Sequence, residues 1–133
     1  MQADYVVVGA GSAGCVVASR LSETGASVIL LEAGPTDWYP WIHIPAAMRK
    51  LLRNPLVNWN YTTEPEQSSG GRPLDWPRGR TLGGTSSING MLYVRGAPAD
   101  FDGWAQMGAR GWSYDEVLPY FRKAETYAQT GDP

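Results

Sequence analysis

Six residues near the start of the chain, Gly9-Ala10-Gly11-Ser12-Ala13-Gly14, have the types and spacing that grip a dinucleotide pyrophosphate. The first glycine permits a tight turn. The second lets backbone approach the phosphates with no Cβ in the way, and the third lets a helix pack closely on a strand. A helix starting just beyond Gly11 turns free N–H groups and the positive end of its dipole toward the phosphates. Glu32 follows 18 residues after Gly14 (32 − 14). At the end of a second strand, its carboxylate can accept hydrogen bonds from both hydroxyls of an adenosine ribose. It would repel a 2′-phosphate, which argues against NADP. The plainer alternative is a glycine-rich surface turn and an unrelated Glu, and the order of the flanking elements weighs against it.

Those flanking elements are legible. Asp4–Val8 is a short run rich in β-branched residues that stops at glycine, which predicts a buried parallel strand. Ser12–Glu23 has helical spacing and a glycine stop near Gly25, and Val28–Leu31 predicts a second buried strand ending on Glu32. Strand, helix and strand within about 30 residues make a βαβ unit. The expected fold class is therefore α/β, a Rossmann-like βαβ with Gly/Pro-rich excursions. The 16 Gly and 10 Pro cluster after Glu32, so the middle of the chain should be loop-rich. A nicotinamide domain would usually resume βα alternation there. The long Pro/Trp-rich excursion instead favours FAD, whose large second half needs additional chain to cover it.

Further along, Pro45 is placed to open a short helix over Ala46–Leu52, Trp59–Thr63 resembles a strand, and Ser68–Gly71 reads as a turn or flexible tip. Pro98–Met107 is a helix candidate. Ser113 with Glu116 forms a capping box for a last helix, whose Tyr114, Val117, Leu118 and Phe121 share an apolar face. Pro119 lies inside that helix and should kink it or delay its start. Residues 129–133 carry no structural signal.

A second motif runs from Pro77 to Gly90. Leu82-Gly83-Gly84 followed by Thr85, Ser86 and Ser87 can bring backbone and hydroxyls close to a flat ligand. Thr85 or Ser86 is placed to cap a helix running toward Met91, and Asn89 offers both donor and acceptor to polar edges of a flavin. A small-residue helix packed tightly on the sheet is the alternative reading.

With these residues in hand, the sequence resembles the glucose–methanol–choline (GMC) oxidoreductase family over nearly its whole length. The resemblance is carried by Asp4–Gly14, Leu31-Glu32-Ala33-Gly34, Tyr61–Pro65, Arg78–Gly96 and Trp112–Phe121, and is strongest to choline dehydrogenase-like and alcohol dehydrogenase members. It implies an FAD-dependent enzyme that oxidises the CH–OH group of a small-molecule alcohol, choline included, by hydride transfer to flavin N5. It implies that Gly9, Gly11, Ser12, Ala13 and Gly14 hold the pyrophosphate and that Glu32, with Ala33, binds the adenosine ribose. Leu82, Gly83, Asn89, Gly90, Met91 and Leu92 would lie along the pyrophosphate and isoalloxazine. Some family oxidases bond flavin covalently through a histidine in a Ser-Ser-His-Asn context. Here Ser86-Ser87-Ile88-Asn89 has an isoleucine, which implies non-covalent FAD. In the family the catalytic histidine lies near the C-terminus. No catalytic residue is therefore expected among residues 1–133, which read as the N-terminal part of an FAD-binding domain. Further strands, the substrate domain and the base would come from chain beyond Pro133. The electron acceptor (quinone, carrier or oxygen) stays open.

Composition narrows the alternatives. A formal charge of −2 with no basic block argues against nucleic acid as a partner. One cysteine and one histidine exclude a disulfide framework and a Cys- or His-rich metal site. Cys15 reads as a small buried packing residue, His43 as a loop residue, and the scattered tryptophans as core or lid packing rather than an aromatic cage for an ammonium group. No signal peptide or spanning segment is visible, so a cytoplasmic location is expected, with association at the inner face of a membrane left open. Two other classes remain open at this stage: a nicotinamide dehydrogenase, and a non-redox family member retaining FAD as a relic.

Overall fold

The structure is a computed structural model that describes residues 2–125. The chain divides into two compact units, one ending at Leu92 and the other starting at Tyr93.

The first unit opens with β1 (Tyr5–Val8), α1 (Ser12–Ser22) and β2 (Val28–Leu31). The strands pair in parallel, Tyr5 with Val28 through Val8 with Leu31, as expected for a βαβ crossover. Gly25, at φ +85°, turns the chain out of α1, and Gly9, at φ +93°, turns it out of β1. Both strands were expected to be buried, but Val6 is 57% and Val8 82% exposed. Among the described residues the sheet has two strands, and α1 alone makes a substantial contact with it. β-branched side chains that would suit an interior therefore face open space. Cys15 is corrected likewise: it is exposed, with its Sγ 3.3 Å from the Ala10 carbonyl.

The excursion after Glu32 is ordered by a small core of its own. Leu51, Val57 and Ile88 are buried together, with Tyr39 and Ile42 packed against them. Pro40–His43 and Pro45–Ala47 form 3-10 turns, and α2 (Met48–Leu51) continues from the second. The expected strand over Trp59–Thr63 contracts to β3 (Tyr61–Thr62), antiparallel to β4 (Asp75–Trp76). The expected turn at Ser68–Gly71 is a 3-10 turn over Gln67–Ser69 followed by two left-handed glycines. Buried Asn58 ties this region together. Its Nδ2 donates to the Leu52 carbonyl at 2.7 Å, and its Oδ1 accepts from the Asn60 and Arg78 N–H groups. Both ends of a buried amide are thereby satisfied, as its burial requires. His43 lies in the first 3-10 turn with Nε2 2.6 Å from the Asp37 carbonyl.

The second unit pairs α3 (Pro98–Gln106) with α4 (Tyr114–Ala124). Phe101 is buried and meets Phe121 edge-on at 5.5 Å, so the expected apolar face of α4 does pack. The Glu116 carboxylate accepts from the Ser113 N–H at 3.1 Å and from its hydroxyl, which holds the Glu116 carboxyl below the usual carboxylate range. Pro119 neither delays nor ends α4, which starts at Tyr114 and continues through it. The tail at 129–133 lies outside the described residues. No helix among the described residues is long and apolar enough to cross a membrane.

The bare strands generate the first prediction. Expressed alone, the 133-residue chain is expected to self-associate and to bind a hydrophobic dye such as ANS, because exposed parallel edges and apolar faces recruit other chains. Gel filtration and thermal melting check this, and a monodisperse monomer with a cooperative melt would contradict it.

Candidate functional site

The turn after β1 and the turn after β2 meet, and a third segment, Gly79–Thr85, closes over both. These three segments, with Trp59, border an open cavity of about 500 Å³ lined in part by Gly9, Gly11, Glu32, Ala33, Trp59 and Thr85.

The glycines of the first motif divide their work. Gly9 has φ +93°, a conformation that disfavours any side chain. A Cβ on Gly14 would fall 1.9 Å from the Gly9 carbonyl oxygen, so helix and strand can approach only because none is there. Gly11 differs from both. Its φ is −82°, and a Cβ on it would meet only Gly84 Cα at 3.9 Å. Nothing in the chain itself requires glycine at position 11. The room in front of it belongs to the cavity that Gly11 and Gly84 line.

Gly11 is the N-cap of α1, and no side chain caps that end. The first N–H groups of a helix have no intrahelical acceptor, so Ser12, Ala13 and Gly14 present donors and the positive dipole end at one place. This donor set fits a pyrophosphate. Glu32 is half-buried beside it. Its Oε2 accepts from the Ala10 N–H at 2.8 Å and its Oε1 from the Gly34 N–H at 2.9 Å. Each carboxylate oxygen retains a second lone-pair direction, so acceptance from a ribose remains available. The carboxylate therefore does more than the sequence suggested, because it also ties the two turns together.

The second motif departs from its expected form. Gly83 and Gly84 both have positive φ, +88° and +57°, so the chain folds back in a 3-10 turn over Gly84–Ser87. No helix runs to Met91, and neither Thr85 nor Ser86 caps one. The hydroxyls serve the turn itself. Ser86 donates to the Gly83 carbonyl, Ser87 to the Leu82 carbonyl at 2.7 Å, and Thr85 accepts from the Gly79 N–H at 3.1 Å. The motif is stitched to the first turn by the Gly83 N–H donating to the Ala10 carbonyl at 2.8 Å, and to the second by the Leu82 N–H donating to the Pro35 carbonyl at 2.9 Å. Buried Thr81 adds its hydroxyl to the same carbonyl at 2.9 Å.

The structure gathers Gly9, Gly11, Glu32 and Ala33 at one cavity, whereas Ser12, Ala13 and Gly14, in the first turn of α1, and Leu82 and Gly83, in the closing segment, do not line it. Asn89, Gly90, Met91 and Leu92 do not line it. Asn89 Oδ1 accepts from the Met91 N–H at 2.9 Å, Met91 sits at φ +57°, and Leu92 is 86% exposed. Sequence reasoning missed Trp59 and Gly79 as lining residues. Gly79 lay inside the quoted motif, whereas Trp59 had no local signal. The Asn58 hub brings it in, and it stacks on Tyr61 with the Arg80 guanidinium 5.4 Å from its ring. The tryptophans form no cage: Trp41 carries Lys50, and Trp104 meets Trp112 edge-on.

A family model described as GMC oxidoreductase matches residues 3–130. The chain belongs to the GMC oxidoreductase family. It is 53% identical over 126 residues to an oxygen-dependent choline dehydrogenase of Brucella suis biovar 1, covering 94% of this chain and 23% of that protein. Among solved structures, pyridoxine 4-oxidase from Mesorbium loti superposes with a TM-score of 0.81 at 44% identity, over 90% of this chain and 24% of that one. A formate oxidase variant from Aspergillus oryzae, studied for the modification of its FAD, gives 0.80 at 35% identity, over 96% and 24%. The chain spans about a quarter of the length of each. The α/β assignment stands, and the cavity lies in the part of the chain that these proteins share with it.

The glycine geometry generates a paired prediction for the full-length protein. Gly14→Ala is expected to lower apoprotein stability by about 1–3 kcal/mol through overpacking, read as a fall in melting temperature. Gly11→Ala, a poorer N-cap with no clash, is expected to cost apoprotein stability about 1 kcal/mol or less yet weaken FAD binding at least about tenfold, some 1.4 kcal/mol. Titration of both apoproteins with FAD checks this, and unchanged affinity in Gly11→Ala would remove that glycine from the site.

Proposed function

We propose that this chain is the N-terminal, FAD-binding part of an oxidoreductase that converts an alcohol of the choline type to the corresponding carbonyl compound. The observation that carries the reading is the cavity in which an uncapped helix end and the Glu32 carboxylate stand side by side, one suited to a pyrophosphate and the other to a ribose. Family membership and the choline dehydrogenase likeness supply the reaction class.

In this reading Ser12, Ala13 and Gly14 direct backbone N–H groups at the pyrophosphate, while Gly9 and Gly11 keep the approach free of side chains. Glu32 accepts from the ribose while holding the Ala10 and Gly34 turns in register, and Ala33 lines the same wall. Leu82 and Gly83 hold the closing segment against both turns, and the run Asn89–Leu92 leads toward the isoalloxazine. Bound flavin supplies the hydride acceptor at N5. The substrate hydroxyl proton needs a base. The single histidine, His43, is held at the Asp37 carbonyl and does not line the cavity, so it is not assigned as that base.

FAD is held without a covalent bond. Ile88 stands where some relatives place their flavin-linking histidine. It is an aliphatic side chain, buried with Leu51 and Val57, with no nucleophile to offer. The nicotinamide alternative loses ground with family membership.

Two outcomes test the reading. Anaerobic mixing of full-length holoenzyme with choline and a panel of primary alcohols is expected to bleach the oxidised flavin absorbance, and no bleaching with any alcohol would count heavily against alcohol oxidation. Acid precipitation is expected to leave a yellow supernatant over a colourless pellet, whereas a flavin-bearing peptide after proteolysis would show a covalent link through another residue.

A further inference from the structure

The second glycine motif also meets the first main chain to main chain, at Gly84 and Gly11. Gly84 is buried at φ +57°, and a Cβ on it would stand 2.8 Å from Gly11 Cα and 3.5 Å from the Gly11 nitrogen. A Cβ on Gly79 would stand 2.2 Å from both the carbonyl carbon and the oxygen of Gly84. Backbone therefore rests directly on backbone from Gly79 through Gly84 to Gly11, with no flexible side chain between them to absorb a change. The contact is held from both sides. Gly11 and Gly83 form a parallel bridge, and the Gly84 N–H donates to the Thr81 carbonyl at 2.8 Å. Gly11, in turn, is the N-cap of the helix whose first N–H groups form the anion site.

Resting on the FAD reading above, we propose that Gly84 is a positioning residue. It sets the place of Gly11, and with it the phosphate-binding end of α1, without itself being required to touch the cofactor. A side chain at position 84 would displace the Gly11 turn because both colliding partners are main chain. The first N–H groups of α1 would then move relative to the Gly34 turn, and the bond from the Ala10 N–H to Glu32, which also holds the Gly34 N–H, would be strained. The change acts on how the pyrophosphate is held and not merely on stability.

The test uses full-length holoenzyme and two variants. Gly84→Ala adds the colliding Cβ. Ser87→Ala adds no atoms and removes only the hydroxyl that donates to the Leu82 carbonyl across the same turn, so it remains readable if Gly84→Ala fails to fold. The readouts are FAD affinity and the phosphorus-31 NMR resonances of the bound FAD pyrophosphate. The expected result is displaced pyrophosphate resonances and at least a tenfold loss of FAD affinity in Gly84→Ala, with a smaller displacement in the same direction in Ser87→Ala. Variants that melt at lower temperature but bind FAD with unmoved phosphorus resonances would overturn the proposal, since Gly84 would then be only structural, and the FAD reading would stand. An unmodified protein that binds no FAD would overturn both.

Discussion

A single carboxylate holds the site in register. Glu32 leaves the end of β2 and accepts one hydrogen bond from the turn after β1 and another from the turn after β2. Each is a charge-assisted bond to a main-chain donor, about twice as strong as a neutral one. Without that carboxylate two partly buried N–H groups would lose their acceptors, at a cost of about 1–3 kcal/mol each. The same side chain is thus part of the frame that holds the two turns of the cavity together.

Around that tie the structure dispenses with side chains. Gly14 against Gly9, Gly34 against Arg80, Gly79 against Gly84 and Gly84 against Gly11 are contacts at distances that a Cβ would forbid. The glycines of this chain are therefore of two kinds. Most of those at the site satisfy the chain's own packing or its left-handed turns, and Gly11 alone in its motif is free of both demands. A site built from main chain has little room to adjust, and this rigidity suits the fixed geometry of a pyrophosphate and its adjoining sugar.

Much of the outer surface of the first unit follows from the same economy. Motif residues spend polar groups on one another: Ser86 and Ser87 donate to nearby carbonyls, and Asn89 Oδ1 accepts from the Met91 N–H. The apolar side chains of β1 and β2 stay uncovered, while the buried cluster of Leu51, Val57 and Ile88 fixes the excursion that carries Trp59 to the cavity. The buried cluster and the cavity are connected through Asn58 and the Arg78–Thr85 segment.

The sequence by itself determined β1, α1, β2, the glycine turn between them and the place of Glu32, because each rests on interactions within a few residues: β-branched runs, helical spacing, and glycines where φ turns positive. The capping of α4 was legible for the same reason. Burial of the strands was misjudged, since apolar composition states what a strand suits and not what lies against it. Tertiary structure alone decided that Thr85 and Ser86 serve a fold-back turn and that Trp59 and Gly79 reach the cavity. These are outcomes of contacts between segments tens of residues apart, as between Gly11 and Gly84, where the clash that demands a glycine exists only once the two loops have met.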